Sequence, residues 1–504
     1  MELPVAWEEA FRRDAERRPE LADPLPERRL ARLLAAFLTT GIVFLVAPGT
    51  LLGVWNLIGI SSRRSAESVP AVWIQGHGHA QLFGWVATFI IGISLYTFPK
   101  FRGAPLRSFG LGWAMWGLWT AAVSARWAVA LFHWHWRVVW PLAAGAELLV
   151  ALLLIWQCSA PGRNRGVWSR LIFAGFAGLV VTLAWQFVAL FPLPAEPLLS
   201  AAADRTVLWL ALWLFAFPVV WGFSARFLPS FLGLDAPSPR GVDLGLALLA
   251  VAAVTPHPVS AILLVGAAVT ACWSLRLFTR PPRKPKVAGV DPRYPWFVRA
   301  AYLWLVIAAI LGCMPETRGW VGASRHAFTV GFLATLIFAM GPRLLPSFVN
   351  SRELWSKRLM LIALVLLTAG CALRVTSEPL AYSGAAPLAW KVLPVSAIIE
   401  LTAVLAFALN LGVTLARPFP AWIALDGITA ELPLYWYVSA YPRTRRIMER
   451  GGLHTLARVG RVPQSLTLRA AAEADRADLD RLLADLRAYF RRNLARTLKE
   501  KQPA

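Results

Sequence analysis

HAQLFGWVATFIIGISLYTFPKF, residues 79–101, and HAFTVGFLATLIFAMGPRLLPSF, residues 326–348, are the stretches that decide the fold. Laid side by side without gaps, His79 meets His326, Gly84 meets Gly331 and Thr88 meets Thr335; further on, Pro99 meets Pro346 and Phe101 meets Phe348. Twenty residues separate the histidine from the proline in each. At about 1.5 Å per helical residue that is ~30 Å, one hydrocarbon thickness. Each stretch therefore reads as a membrane-spanning helix with a histidine at one end. A third stretch ends alike: RFLPSF at 226–231 repeats RLLPSF at 343–348, with Trp209 at the histidine position.

The rest of the chain agrees with a membrane protein. Hydrophobic residues make up 57% and charged ones 16%. A soluble fold of that balance would expose too much apolar surface. Twelve apolar runs are readable: about 33–60, 76–99, 108–131, 138–157, 168–191, 205–229, 241–255, 258–277, 296–314, 326–347, 357–376 and 387–415. The homologous spans are then the second, sixth and tenth, four apart, which predicts three four-helix units at about 33–157, 168–277 and 296–415 in a pseudo-threefold arrangement. The fourth helices repeat PLAAGAE (141–147) as PVSAIIE (394–400), and unit two has PVSAILL, with Leu264 in place of the acid. The third helices repeat TAAVSAR, ending at Arg126, as TAGCALR, ending at Arg374. Units one and three thus each carry a histidine, an arginine and a glutamate (Glu147 and Glu400) at matching places. Unit two carries none of them.

The net charge of +23 reflects basic loops rather than nucleic-acid binding. Clusters at Arg12–Arg29, Lys100–Arg107, Arg163–Arg170 and Arg276–Arg299 fall in alternate loops. Loops of that kind are retained in the cytoplasm. Both termini are accordingly expected on the cytoplasmic side of a multi-pass protein of the inner membrane, and His79, His326, Arg126 and Arg374 near the outer face. His77, His133, His135 and His257 fall on the same side, and only His454 is cytoplasmic. No cleavable signal peptide is visible. The four cysteines have no metal spacing and suggest no disulfide framework. Residues 1–32 are read as a cytoplasmic segment able to lie as an amphipathic helix on the inner leaflet. Residues 421–490 are charged and form a small cytoplasmic helical domain, followed by a basic tail, 491–504.

Ionisable groups inside a bilayer are costly and usually face the bundle interior. Two symmetry-related imidazoles with two nearby guanidiniums fit a haem, with His79 and His326 as axial ligands and Arg126 and Arg374 on its propionates, because the guanidinium fork matches a carboxylate. The bland alternative is that the histidines pair with Glu147 or Glu400, or with backbone. His77, with His133, His135 or His257, is a candidate for a second metal, for which copper suits imidazole; interfacial hydrogen bonding is the alternative there. Glu147 and Glu400 either carry protons or fix helix contacts in the protonated form. Enzymatic turnover cannot be read from these residues. Two other functional classes stay open: a secondary transporter using Glu147, Glu400, Arg126 and Arg374, and a non-catalytic scaffold or assembly factor whose binding end is 421–490.

At these residues the chain resembles a known family. HGHAQLFGW…FPKFRG and RHAFTVGFLATLIFAMGPRLLPSF are similar to the signature spans of the NnrS family. The resemblance implies a polytopic bacterial membrane protein containing haem b, with copper as a further cofactor, linked to the nitric oxide response. The family commonly has an acid after the second histidine, where this chain has Ala80. More distantly, the chain is similar to the catalytic subunit of haem–copper oxidases and nitric oxide reductases, in which helices two and ten ligate the low-spin haem. That superfamily's binuclear centre needs further histidines on helices six, seven and ten; here span 6 has Trp209, span 7 lacks histidine, and Ser324 stands two before His326. The expectation is one haem without a reductive centre. Residues 421–490 resemble the DUF1858 domain without its cysteine pair, and are expected to meet a redox or other cytoplasmic partner.

Overall fold

The computed structural model describes residues 3–17, 24–102, 104, 106–160, 166–287, 289–348, 354–416, 428–440, 442–459, 462–463 and 465–499. Among these residues the chain is helical, with one isolated bridge between Pro433 and Thr467. The chain divides into two compact units. One comprises residues 32–347 with 353–413, and the other 1–31, 348–352 and 414–504.

In the larger unit nine helices among the described residues are long and apolar enough to cross a bilayer. They include the second span, Ala71–Arg102, the sixth, Ala201–Leu232, and the tenth, Arg318–Leu345. The three remaining expected positions hold the helices Phe109–Phe132, Pro239–Ala252 and Val259–Ser274. Pro239–Ala252 has 14 residues. It rises only about 21 Å, short of a ~30 Å core, so its apolar run is shorter than the others. Spans 2, 6 and 10 are 94%, 72% and 78% buried over their most apolar windows, against 33–50% for the other six. They form the interior of the bundle, and the others present one face outward.

The repeat extends to the backbone. Each of the three inner spans starts with nine α-helical residues: Ala71–His79, Ala201–Trp209 and Arg318–His326. Each then widens into a π-helical stretch: Ala80–Ala87, Leu210–Ala216 and Ala327–Ala334. Each finishes as α-helix. The aligned threonines explain the widening in two cases. Thr88 Oγ1 donates to the Phe83 carbonyl at 3.0 Å and Thr335 Oγ1 to the Val330 carbonyl at 3.1 Å, both five residues back. Such a bond satisfies a carbonyl that the wider turn leaves without its α-helical partner. Unit two has Pro218 at the matching position. A proline has no N–H to offer the α-helical ladder. At the other end of these spans Arg226 of unit two lies over Phe101 of unit one at 4.7 Å, and Arg343 of unit three over Phe231 of unit two at 4.9 Å. Equivalent residues thus pair head to tail, as rotation about a common axis requires.

The smaller unit departs from the expected layout. Residues 5–17 do form an amphipathic helix, Val5–Arg17. Its Trp7 and Ala10, however, are buried in one core with Leu434, Tyr437, Leu482 and Leu486. The apolar face expected on a leaflet is covered by the C-terminal helices. Ser465 Oγ also donates to the Ala10 carbonyl at 3.2 Å. The helix Leu479–Lys499 runs across the expected boundary at 490, so the basic tail begins as part of that helix. Within this unit Pro442–Arg450 forms the helix expected from YPRTRRIMERGG. Gly452, at φ +103°, follows it in a conformation that glycine adopts without strain. Residues 421–427, the start of the expected domain, lie outside the described residues.

Candidate functional site

The α-to-π junction of span 2 sets the site. His79 is the last residue before the widened turn, and His326 is its counterpart in span 10. A cavity of about 760 Å³ opens between them. Its polar lining includes His77, His79, Arg126, His326, Arg374 and Glu400. These residues come from spans 2, 3, 10, 11 and 12.

The two imidazoles are held differently. His79 is 7% exposed. Its Nε2 lies 3.1 and 3.3 Å from the two oxygens of Glu147 on span 4. Gln186 on span 5 donates to the same carboxylate at 3.1 Å. The Phe83 ring packs at 4.9 Å. His326 Nδ1 lies 3.0 Å from the Gly322 carbonyl, one turn back on its own helix, and 3.7 Å from Glu378 Oε2. His77 Nδ1 lies 2.9 Å from the Gly49 carbonyl. Both His77 and His79 line the cavity, although they are two apart on one helix, because the cavity wraps around that end of span 2.

The cations are buried too. Arg126 lies over the Trp140 ring at 4.1 Å. Arg374 Nε is 3.1 Å from Glu378 Oε2, and its Nη2 donates to Oε1 at 3.3 Å. Several polar atoms on this cavity are buried without a hydrogen-bond partner. They are His79 Nδ1, Arg126 Nη1, Arg374 Nη1, Glu400 Oε1, Gln81 Oε1 and both side-chain atoms of Asn56. Leaving such a group unpaired away from water costs about 1–3 kcal/mol, more when charged. Their convergence on one space points to a polar ligand.

The paired glutamates of the repeat are not equivalent in space. Glu147 bonds His79, whereas Glu400 makes no such bond to His326. Glu378 stands in that place, on the helix of Arg374. Sequence matching missed it because unit one has Ala130 at the corresponding position. The available signal was its spacing, four residues after Arg374, which puts both on one helix face. Gln186 and Arg325, which also approach the site, had no counterpart in the repeat to mark them. Three expected histidines lie elsewhere. His133 and His135 are exposed in the turn before Trp136, and the exposed His257 lies 3.2 Å by Nε2 from the Gly312 carbonyl. None of the three lines the cavity, so their placement gives copper no support. Among the described residues no three of His, Cys, Asp and Glu gather as a metal-holding group.

The donor set does fit a haem. Two imidazoles on facing spans each keep one ring nitrogen without a protein hydrogen bond, two arginines each keep a free Nη1, and the volume lies in the range of about 300–1,000 Å³ usual for ligand pockets.

By fold the molecule is a polytopic helical membrane protein whose helices are arranged like those of a heme-copper terminal oxidase. The solved structure of a heme-copper terminal oxidase dimer matches it with a TM-score of 0.59 at 14% identity, over 78% of this chain and 85% of the other. The chain belongs to the NnrS protein family, whose model matches residues 24–418. No curated protein matches the sequence.

Proposed function

We propose that the protein binds one haem b between spans 2 and 10, with His79 and His326 as axial ligands and Arg126 and Arg374 meeting the propionates. The observation that carries this reading is the convergence of unpartnered buried nitrogens from units one and three on one cavity. A carboxylate on one nitrogen of a ligating imidazole orients the ring and raises its basicity. Glu147 is placed to do that for His79. Arg126 and Arg374 would orient the macrocycle and neutralise its two carboxylates. The chain has no Cys-x-x-Cys-His sequence, so the group is held without thioether bonds. A bound haem would supply one-electron chemistry at its iron. In line with the family resemblance, the role is electron transfer or protection in the nitric oxide response, near the outer face of a bacterial inner membrane with both termini in the cytoplasm. The smaller unit offers a surface for a cytoplasmic partner.

The test is the visible spectrum of the detergent-purified protein, oxidised and dithionite-reduced, beside His79→Ala and His326→Ala. A six-coordinate b-type spectrum is expected in the wild type and in neither variant. A wild type that stays colourless after haem supplementation would sink the reading. It would return transport through Glu147, Glu400, Arg126 and Arg374 to first place.

A further inference from the structure

We infer that the two axial positions are unequal: His79 is the fixed ligand, and His326 is the one that yields to a small neutral diatomic molecule on the reduced iron. The inference rests on the haem reading above and deepens it.

The argument is the difference in grip. Moving the His79 ring away breaks its contact with the Glu147 carboxylate, at 3.1 and 3.3 Å. That carboxylate is itself anchored by Gln186 from another span. Three helices therefore hold one imidazole, in a place where His79 is 7% exposed. Hydrogen bonds are stronger in a low-dielectric site than in water, and a connected network holds better than its separate members. The His326 ring has no such hold. Its Nδ1 shares the Gly322 carbonyl with the helix ladder. The nearest acid, Glu378, stands 3.7 Å off and is engaged by Arg374. Its side chain is 29% exposed, facing the open cavity. Releasing His326 thus breaks one contact to a backbone carbonyl, whereas releasing His79 breaks a network spread over three helices. The carboxylate also raises the basicity of the His79 ring and so strengthens its bond to a metal.

The exchange balances without a further reagent. With a haem bound, His326 would be the side chain that gives up its place to the diatomic, and its imidazole would stay neutral, so no electron or proton would need to move.

The experiment uses full-length protein in detergent, reduced with dithionite, with carbon monoxide as the probe. Wild-type haem is expected to shift its spectrum on adding carbon monoxide, at a rate that saturates as His326 release becomes limiting. His326→Ala is expected to keep its haem, to be five-coordinate when reduced, and to bind carbon monoxide faster than wild type. His79→Ala is expected to lose its haem. The isosteric Glu147→Gln leaves packing intact and should weaken haem retention about ten- to a hundredfold. Haem that ignores carbon monoxide in the wild type would overturn the inference while leaving the haem reading standing. So would haem lost from His326→Ala and kept in His79→Ala. A wild type without haem would overturn both.

Discussion

One residue that the repeat does not mark controls the geometry around His326. Gly322 has no side chain, and a Cβ built there would overlap the Glu378 carboxylate. The glycine is what lets the carboxylate of span 11 lie against span 10, between His326 and Arg374. Gly322→Ala is expected to push that carboxylate aside and to destabilise the fold by about 1–3 kcal/mol, the usual size of an overpacking penalty. In a Glu378→Ala background the same substitution should cost much less, since neighbours that clash are not additive. Thermal unfolding of the four proteins in one detergent measures the cycle; equal costs in both backgrounds would show that the carboxylate is not the obstacle. The histidines, the arginines and the glutamate of unit one were legible as residues. Glu378 was not, because it has no partner in the other units.

At the scale of elements, the widened turns of spans 2, 6 and 10 set where each histidine points. A π-helical stretch holds more residues per turn than an α-helix, so it re-phases everything before it against everything after it. Thr88→Val keeps the shape but removes the bond to the Phe83 carbonyl, and so favours closing the ladder as α-helix with no residue lost. That closure would rotate His79 by about 100° relative to the Thr88–Arg102 segment. The expected result is a protein that inserts in the membrane and shows no six-coordinate haem spectrum. An unchanged spectrum would mean that the widened turn does not aim the ligand. The sequence showed the span, its histidine and the aligned Thr88 and Thr335. It did not show the widening, because a threonine inside an apolar helix more often bonds the carbonyl four back, as Thr182 does with Gly178.

For the whole molecule, the smaller unit carries a topological consequence. The first helix and the C-terminal helices share a core through Trp7, so both termini are expected on the same side of the membrane. Reporter fusions after residues 2 and 504 are expected to give the same cytoplasmic signal. Opposite signals would break the shared core apart.

The sequence alone determined the membrane class, the threefold repeat, and the histidines and arginines that units one and three share. Each of these is carried by periodicity, length and composition along one chain. Only the tertiary structure decided which acid meets which histidine, that His77 joins the cavity while His133, His135 and His257 do not, and that the first helix completes the last domain. Those facts depend on which helix faces cross at a given depth, and side chains of similar composition give the same linear pattern whichever faces meet. The unequal hold on His79 and His326 has the same origin, since spans 4, 5 and 11 approach the two equivalent histidines from different directions.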